Sequence, residues 1–206
     1  HDVRNDLNAM ELLISCVEDE GAEVDVRNAL TQLHEAVRYG ARRMLRVSRA
    51  VQLPDKDCVA YPVDLLAEDL RDRLKVERPE LAARIEWIFP GQRAVIQVDA
   101  TLVLEALTEL LDNAASFATG AHKVVTRVEP GEGNIRWSIE QHATEEPLNV
   151  QQWGRRPLMT SRRGHYGLGL FRVRRILQVH GAVLSYRFDG NISKLVTEVV
   201  FPGAIV

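Results

Sequence analysis

The chain has 206 residues, 46% hydrophobic and 27% charged, with a formal net charge of −3. That balance excludes a disordered polar segment, and the charge gives no general argument for nucleic acid or membrane surfaces. No apolar run approaches the ~18 residues of a membrane span and no signal peptide is read, so no membrane contact is expected within this fragment. Two cysteines, Cys16 and Cys58, form neither a metal spacing nor a disulfide framework, so a reduced, cytoplasmic setting is expected. The first residue is not Met, so the chain reads as a fragment, with room upstream for a sensor or membrane region.

The chain opens on "HDVRNDLN". Apolar Val3, Leu7, Met10, Ile14 and Val17 recur at helical steps, and after the acidic "EDEGAEVD" the pattern resumes at Val26, Leu30, Leu33, Val37, Met44, Val47 and Val51. Two amphipathic helices joined by a short loop predict an antiparallel hairpin over residues 1–53, completed by dimerisation into a four-helix bundle. His1, Asn5 and Asn8 share a stripe separate from that seam, and Asp2 stands beside His1. An exposed imidazole is a nucleophile when a carboxylate accepts its other N–H and orients the ring. An ordinary solvated helix face is the plainer reading of those residues taken alone.

Pro54 and Pro62 bracket an expected linker over 54–62, and residues 63–206 read as an α/β domain. Asp64 reads as the N-cap of a helix to about Lys75, and "IEWIF" and "AVIQV" as strands around "PGQR". Asp99 caps a second helix, "ATLVLEALTELLDNAASFA". "KVVTRVE" and "IRWSIE" flank the turn "PGEGN", and an irregular stretch follows from about Gln141 to Tyr166. "GLGLFRVRRILQVHG" reads as a helix entered through glycines and stopped at Gly181. A final hairpin turns at "DGN". The expected fold class is therefore α+β: a helical hairpin followed by a two-layer α/β sandwich.

Two stretches of the second region carry chemistry. In "ELLDNAASF", Glu109 and Asn113 lie one turn apart, while Leu110, Leu111 and Ala114 turn toward a core. A carboxylate and an amide on one face offer hard oxygen ligands suited to Mg²⁺. In "RRGHYGLGLFRVRRI", Gly164, Gly167 and Gly169 lead into a helix, which suits close backbone approach by a phosphate, with Arg162 and Arg163 adding charge. A solvated helix face and a flexible turn remain the plainer alternatives for the two motifs singly.

In this order, the motifs resemble the catalytic core of two-component sensor histidine kinases over essentially the whole chain. "HDVRNDLN" resembles the phosphoacceptor box, "ELLDNAASF" the Asn box, "GHYGLGL" the second glycine box, and "PLMTSRRG" the segment before it in the ATP lid. The resemblance implies a Bergerat-type ATP-binding domain. It implies that His1 accepts the γ-phosphoryl group of ATP, that Asp2 is its base, and that Asn5 positions water for dephosphorylating a partner. Asn113 would bind Mg²⁺ with help from Glu109. Thr160, Arg162, Gly164, Gly167, Leu168, Gly169 and Leu170 would line the nucleotide. The implied partners are a second copy of the chain and the receiver domain of a response regulator, in the bacterial cytoplasm. The chain departs from the family at "EQHATEEP", where Gln141 stands for the adenine-reading Asp and Ala143 for the first glycine. An amide can still read adenine. The second reading is a phosphotransfer or scaffold protein that docks a receiver domain with a vestigial nucleotide site.

Overall fold

The computed structural model describes residues 28, 30–40, 48, 51–89, 94–120, 122–157 and 167–205. The chain divides into two compact units, residues 1–49 and 50–206. In the first, residues 30–40 are helical, and Leu30 and Val37, both on the expected seam, are exposed. The first arm of the expected hairpin, with His1, Asp2 and Asn5, lies outside the described residues.

The second unit contains β1 (Val59–Pro62), α1 (Val63–Glu77), α2 (Pro79–Ala83), β2 (Ile85–Ile88), β3 (Ala94–Val98), α3 (Ala100–Phe117), β4 (Val124–Gly131), β5 (Asn134–His142), a 3₁₀ turn (Val150–Gln152), α4 (Gly169–Val179), β6 (Val183–Asp189) and β7 (Lys194–Ile205). The strands form one sheet in the order β1-β3-β7-β5-β4-β2, with β6 also paired to β7. All pairings are antiparallel except β2 with β4.

Alternation along the strands explains the two layers. Ile135, Trp137 and Ile139 of β5 are fully buried, whereas Arg136 between them is exposed. The buried set meets Leu66, Leu70 and Leu74 of α1 and Leu107, Leu110 and Leu111 of α3 in one core. The opposite face carries cross-strand ion pairs, Arg136 with Glu198 at 3.1 Å and Lys194 with Glu140 at 2.8 Å. Such exposed pairs keep a solvated sheet face soluble and contribute little stability.

Asp99 caps α3 as the sequence suggests: its Oδ1 accepts the Leu102 N–H at 3.2 Å. Its Oδ2 also accepts the Asp57 N–H at 3.1 Å, and its own N–H donates to His180 Nε2 at 3.0 Å. One residue thus joins the segment before β1, the start of α3 and the end of α4. His180 Nδ1 lies 2.7 Å from the Ile176 carbonyl, so the ring donates there and accepts at Nε2.

Three expectations need correction. Residues 59–62, read as linker, form β1; its closing Pro62 is tolerated because β1 is an edge strand. The first helix of the domain begins at Val63, with Pro62 in the cap position, so Asp64 sits in the first turn. β2 and β3 form from the two segments that flank "PGQR", as expected; β2 lies on β4, and β3 lies between β1 and β7. Their sequences give strand but not partner, because pairing is decided by long-range packing. His142, read as a loop residue, closes β5 and stacks on His122 with ring centroids 4.3 Å apart. The short α2, with Pro79 at its first turn, is an addition to the expected elements.

Candidate functional site

The site is built along α3. Leu110, Leu111 and Ala114 are buried at 2%, 0% and 1% exposure, which turns Glu109, Asn113 and Phe117 to another side of the helix. Glu109 is exposed and Asn113 half-buried. Glu109 meets the first residue of α4. A Cβ built on Gly169 would fall 1.8 Å from Glu109 Oε1 and 2.6 Å from its Cδ, so only a glycine lets the carboxylate lie there. One turn earlier on α3, Glu105 Oε1 accepts from Arg172 Nε of α4 at 3.2 Å and holds the two helices in register.

The start of α4 is suited to an anion. No side chain caps it and its first turn carries no acid. The leading N–H groups and the helix dipole at this end suit a negatively charged ligand. Gly167, just before the cap position, has φ 61°, a left-handed conformation that glycine adopts without strain. Leu168 is buried at 8% exposure and Leu170 packs on the core, so these two offer backbone only.

The far end of α3 leads to β5. The Thr119 N–H donates to the His142 carbonyl at 3.1 Å, and Thr119 Oγ1 lies 2.9 Å from His142 Nδ1. These bonds fix the helix end beside Gln141, which is 3% exposed on the helix-covered face of the sheet. Gln141 pairs in register with Leu195, placing the buried hydroxyl of Thr197 on the diagonal. Among the described residues no hydrogen bond reaches the Gln141 amide or the Asn113 amide. Ala143, in the place of the family's first glycine, is buried, and its N–H donates to the Ser193 carbonyl at 2.9 Å. From Glu109 to Phe117 the helix advances about 12 Å, so α3 is a rail with an anion cradle at one end and a buried amide toward the other.

A wall closes one flank. Trp153 stacks on Phe117 at 5.3 Å and meets the Tyr186 ring edge-on at 5.5 Å. Arg174 Nε of α4 donates to the Trp153 carbonyl at 2.6 Å, and the same guanidinium lies over the Tyr186 ring. Burial pushes the Tyr186 phenol up to about 12 and lowers the Arg174 guanidinium from its ordinary value. Gly154 has φ 67°, and a Cβ there would lie 2.4 Å from the Leu170 carbonyl oxygen, so this segment is pressed against the first turn of α4. Phe117, Trp153, Gly154 and Thr197 were not singled out in the sequence. The Trp-Gly pair just ahead of the glycine-led helix was the available signal.

The structure thus brings together Glu109, Gly167, Leu168, Gly169 and Leu170, with Asn113 one turn along α3 and Gln141 beside its far end. Thr160, Arg162 and Gly164 lie outside the described residues, as do His1, Asp2 and Asn5. A carboxylate beside an anion cradle repels the anion unless a divalent cation lies between them, and Glu109 with the Asn113 carbonyl supplies the hard oxygens such an ion takes. Among the described residues no group of three or more His, Cys, Asp or Glu could hold a metal by itself, so the ion would share its coordination with the ligand and water.

Comparison with known proteins gives the family and the fold. Residues 98–201, which span β3's last residue to β7, match the family described as histidine kinase-, DNA gyrase B-, and HSP90-like ATPase. A search of curated proteins finds no match. Among solved structures, the mycobacterial sensor histidine kinase MprB superposes with a TM-score of 0.59 at 19% identity, over 73% of this chain and 100% of that one. The Acinetobacter baumannii histidine kinase AdeS gives 0.63 at 15% identity, over 98% and 97%. The histidine kinase ThkA, in complex with the response regulator protein TrrA, gives 0.64 at 15% identity, over 98% of this chain and 59% of that one. At these identities the likeness is one of fold. Among the described residues, no helix is long and apolar enough to cross a membrane.

Proposed function

This chain belongs to the histidine kinase-, DNA gyrase B-, and HSP90-like ATPases, and we propose that it is a histidine protein kinase core that phosphorylates itself on His1 from Mg-ATP and passes the phosphoryl group to an Asp of a response regulator. One observation carries the reading: the Glu109 carboxylate lies against Gly169 at the uncapped start of α4. Two motifs 60 positions apart in the sequence thereby form one phosphate-and-cation site.

The residues then take these roles. The N–H groups at the start of α4 bind the phosphates, and Gly169 allows them close approach. Asn113 and Glu109 hold Mg²⁺, which when bound neutralises charge on the phosphates. Gln141 receives the base on the inner face of the sheet. A ring nitrogen of His1 attacks the γ-phosphorus, the bond from that phosphorus to the bridging oxygen breaks, and ADP leaves. Asp2 takes the proton the imidazole gives up. Transfer to the regulator breaks the new N–P bond and forms an acyl phosphate on its Asp. Asn5 aligns a water that hydrolyses that acyl phosphate, returning the regulator's carboxylate and releasing inorganic phosphate. The chain works as a homodimer through the hairpin over residues 1–53, whose exposed Leu30 and Val37 need a partner surface. The complex of ThkA with TrrA supports a receiver domain as the docking partner.

The test is calorimetry with ATP. Wild type should bind ATP in the presence of Mg²⁺, and Asn113→Ala should weaken it about 10–100-fold, as loss of a metal-site group does. With the metal chelated, the two proteins should bind alike. Equal affinity in Mg²⁺ would remove Asn113 from the site, and no binding by wild type would leave a docking module without nucleotide chemistry.

A further inference from the structure

The geometry points to a base pocket that accepts both purines, so that the nucleotide site proposed above, on which this inference rests, takes GTP as well as ATP. The carrying observation is Gln141: 3% exposed, on the helix-covered face of β5, with no described group hydrogen-bonded to its amide. Its amide makes no hydrogen bond to any described residue, and it stands beside the end of the rail that runs from the phosphate cradle. A ligand edge is the natural partner.

A carboxylate at this place only accepts. It suits the amine of adenine and opposes the carbonyl oxygen of guanine. An amide offers an acceptor and a donor side by side. In one orientation it matches the donor–acceptor pair on the Watson–Crick edge of adenine; turned over, it matches the acceptor–donor pair of guanine. The last torsion of a glutamine is broad and two-fold, so its orientation is set by its hydrogen-bond partners. The described residues supply none. The strand register places two buried hydroxyls on the diagonals, Thr126 of β4 and Thr197 of β7; that of Thr126 is engaged with Trp137 Nε1 and the Ser138 carbonyl, and that of Thr197 donates or accepts as required. Nothing in this shell fixes the amide, so nothing in it selects one purine.

The experiment is calorimetry of the full chain with the magnesium complexes of ATP, GTP and CTP. The expected dissociation constants for ATP and GTP agree within about tenfold, with CTP clearly weaker. Gln141→Asp, which removes the donor, should separate the purines by about 100-fold in favour of ATP. Gln141→Leu, which keeps the bulk and removes both functions, should weaken both purines at least about tenfold. Wild type that prefers ATP by about 100-fold or more overturns the inference and leaves the kinase reading standing. Undiminished binding by Gln141→Leu also overturns it, because the amide then reads nothing. Failure of every nucleotide to bind overturns both readings.

Discussion

Replacing Gly169 by alanine should strip the protein of Mg-ATP affinity while leaving its fold standing. The added Cβ would fall 1.8 Å from Glu109 Oε1, which is no contact at all, so one of the two must move. The clashing atom is the tip of a flexible side chain rather than backbone, so the carboxylate can rotate away without moving either helix. Alanine is also the better helix former, by up to ~1 kcal/mol. The melting temperature should therefore stay level or rise slightly. The nucleotide loses more: its cation loses a carboxylate ligand, and the phosphates meet a methyl group where the backbone had been open. A fall in affinity of about 10–100-fold is expected, equivalent to about 1.4–2.7 kcal/mol. The double variant Gly169→Ala, Glu109→Ala separates the two causes, since the steric conflict vanishes when the carboxylate is gone. If the displaced carboxylate is the whole effect, the double variant binds no worse than Glu109→Ala alone. Normal affinity in Gly169→Ala would place the phosphates elsewhere.

Trp137→Ala should produce the largest loss of stability of any single change considered, about 3–5 kcal/mol. The indole is fully buried at the centre of β5, and Phe89 meets it edge-on at 6.4 Å. Its Nε1 donates to Thr126 Oγ1 at 2.8 Å, and that hydroxyl lies 3.3 Å from the Ser138 carbonyl. Thr126 is itself 0% exposed, so truncation leaves both a large cavity and a buried hydroxyl short of a partner. Against a typical domain stability of about 5–15 kcal/mol, such a loss is a large fraction of the whole. Trp137→Phe refills most of the space and forfeits the hydrogen bond, so about 1–2 kcal/mol should go instead. Denaturant midpoints, with the slope checked for constancy, measure both. A loss under about 1 kcal/mol for Trp137→Ala would mean that β5 does not sit at the middle of the core.

What was legible in the sequence follows the range of the forces. The helix from Ala100 to Phe117 is announced by its Asp99 cap and its apolar period, both local, and it appears where the sequence placed it. The hairpins at "PGEGN" and "DGN" are likewise fixed by turn residues. β1 was read as linker because four residues ending in proline carry little local signal; its pairing with β3 supplies the reason it is a strand. The same division runs through the site. Glu109 with Asn113, and Gly167 with Gly169, were readable as motifs because each pair shares one helix or one turn. That Glu109 touches Gly169 was not readable, since it depends on how α3 packs on α4. Trp153 and Gly154 were passed over for a related reason. Their partners, Phe117 of α3, Tyr186 of β6, and Arg174 and Leu170 of α4, come from three other elements of the chain. Gln141 was legible as a departure from a family pattern, but its burial on the helix-covered face of the sheet is a property of the fold alone.

The most direct test of the kinase reading is phosphoryl transfer itself. The purified chain is incubated with Mg-ATP labelled at the γ-phosphate, and the protein-bound label is tested for acid and base stability. The account predicts a label that is lost in acid, survives base, maps to His1 and is absent from His1→Gln, while that variant still binds ATP by calorimetry. Label that persists on His1→Gln, or a wild type that binds Mg-ATP and never becomes labelled, would contradict it.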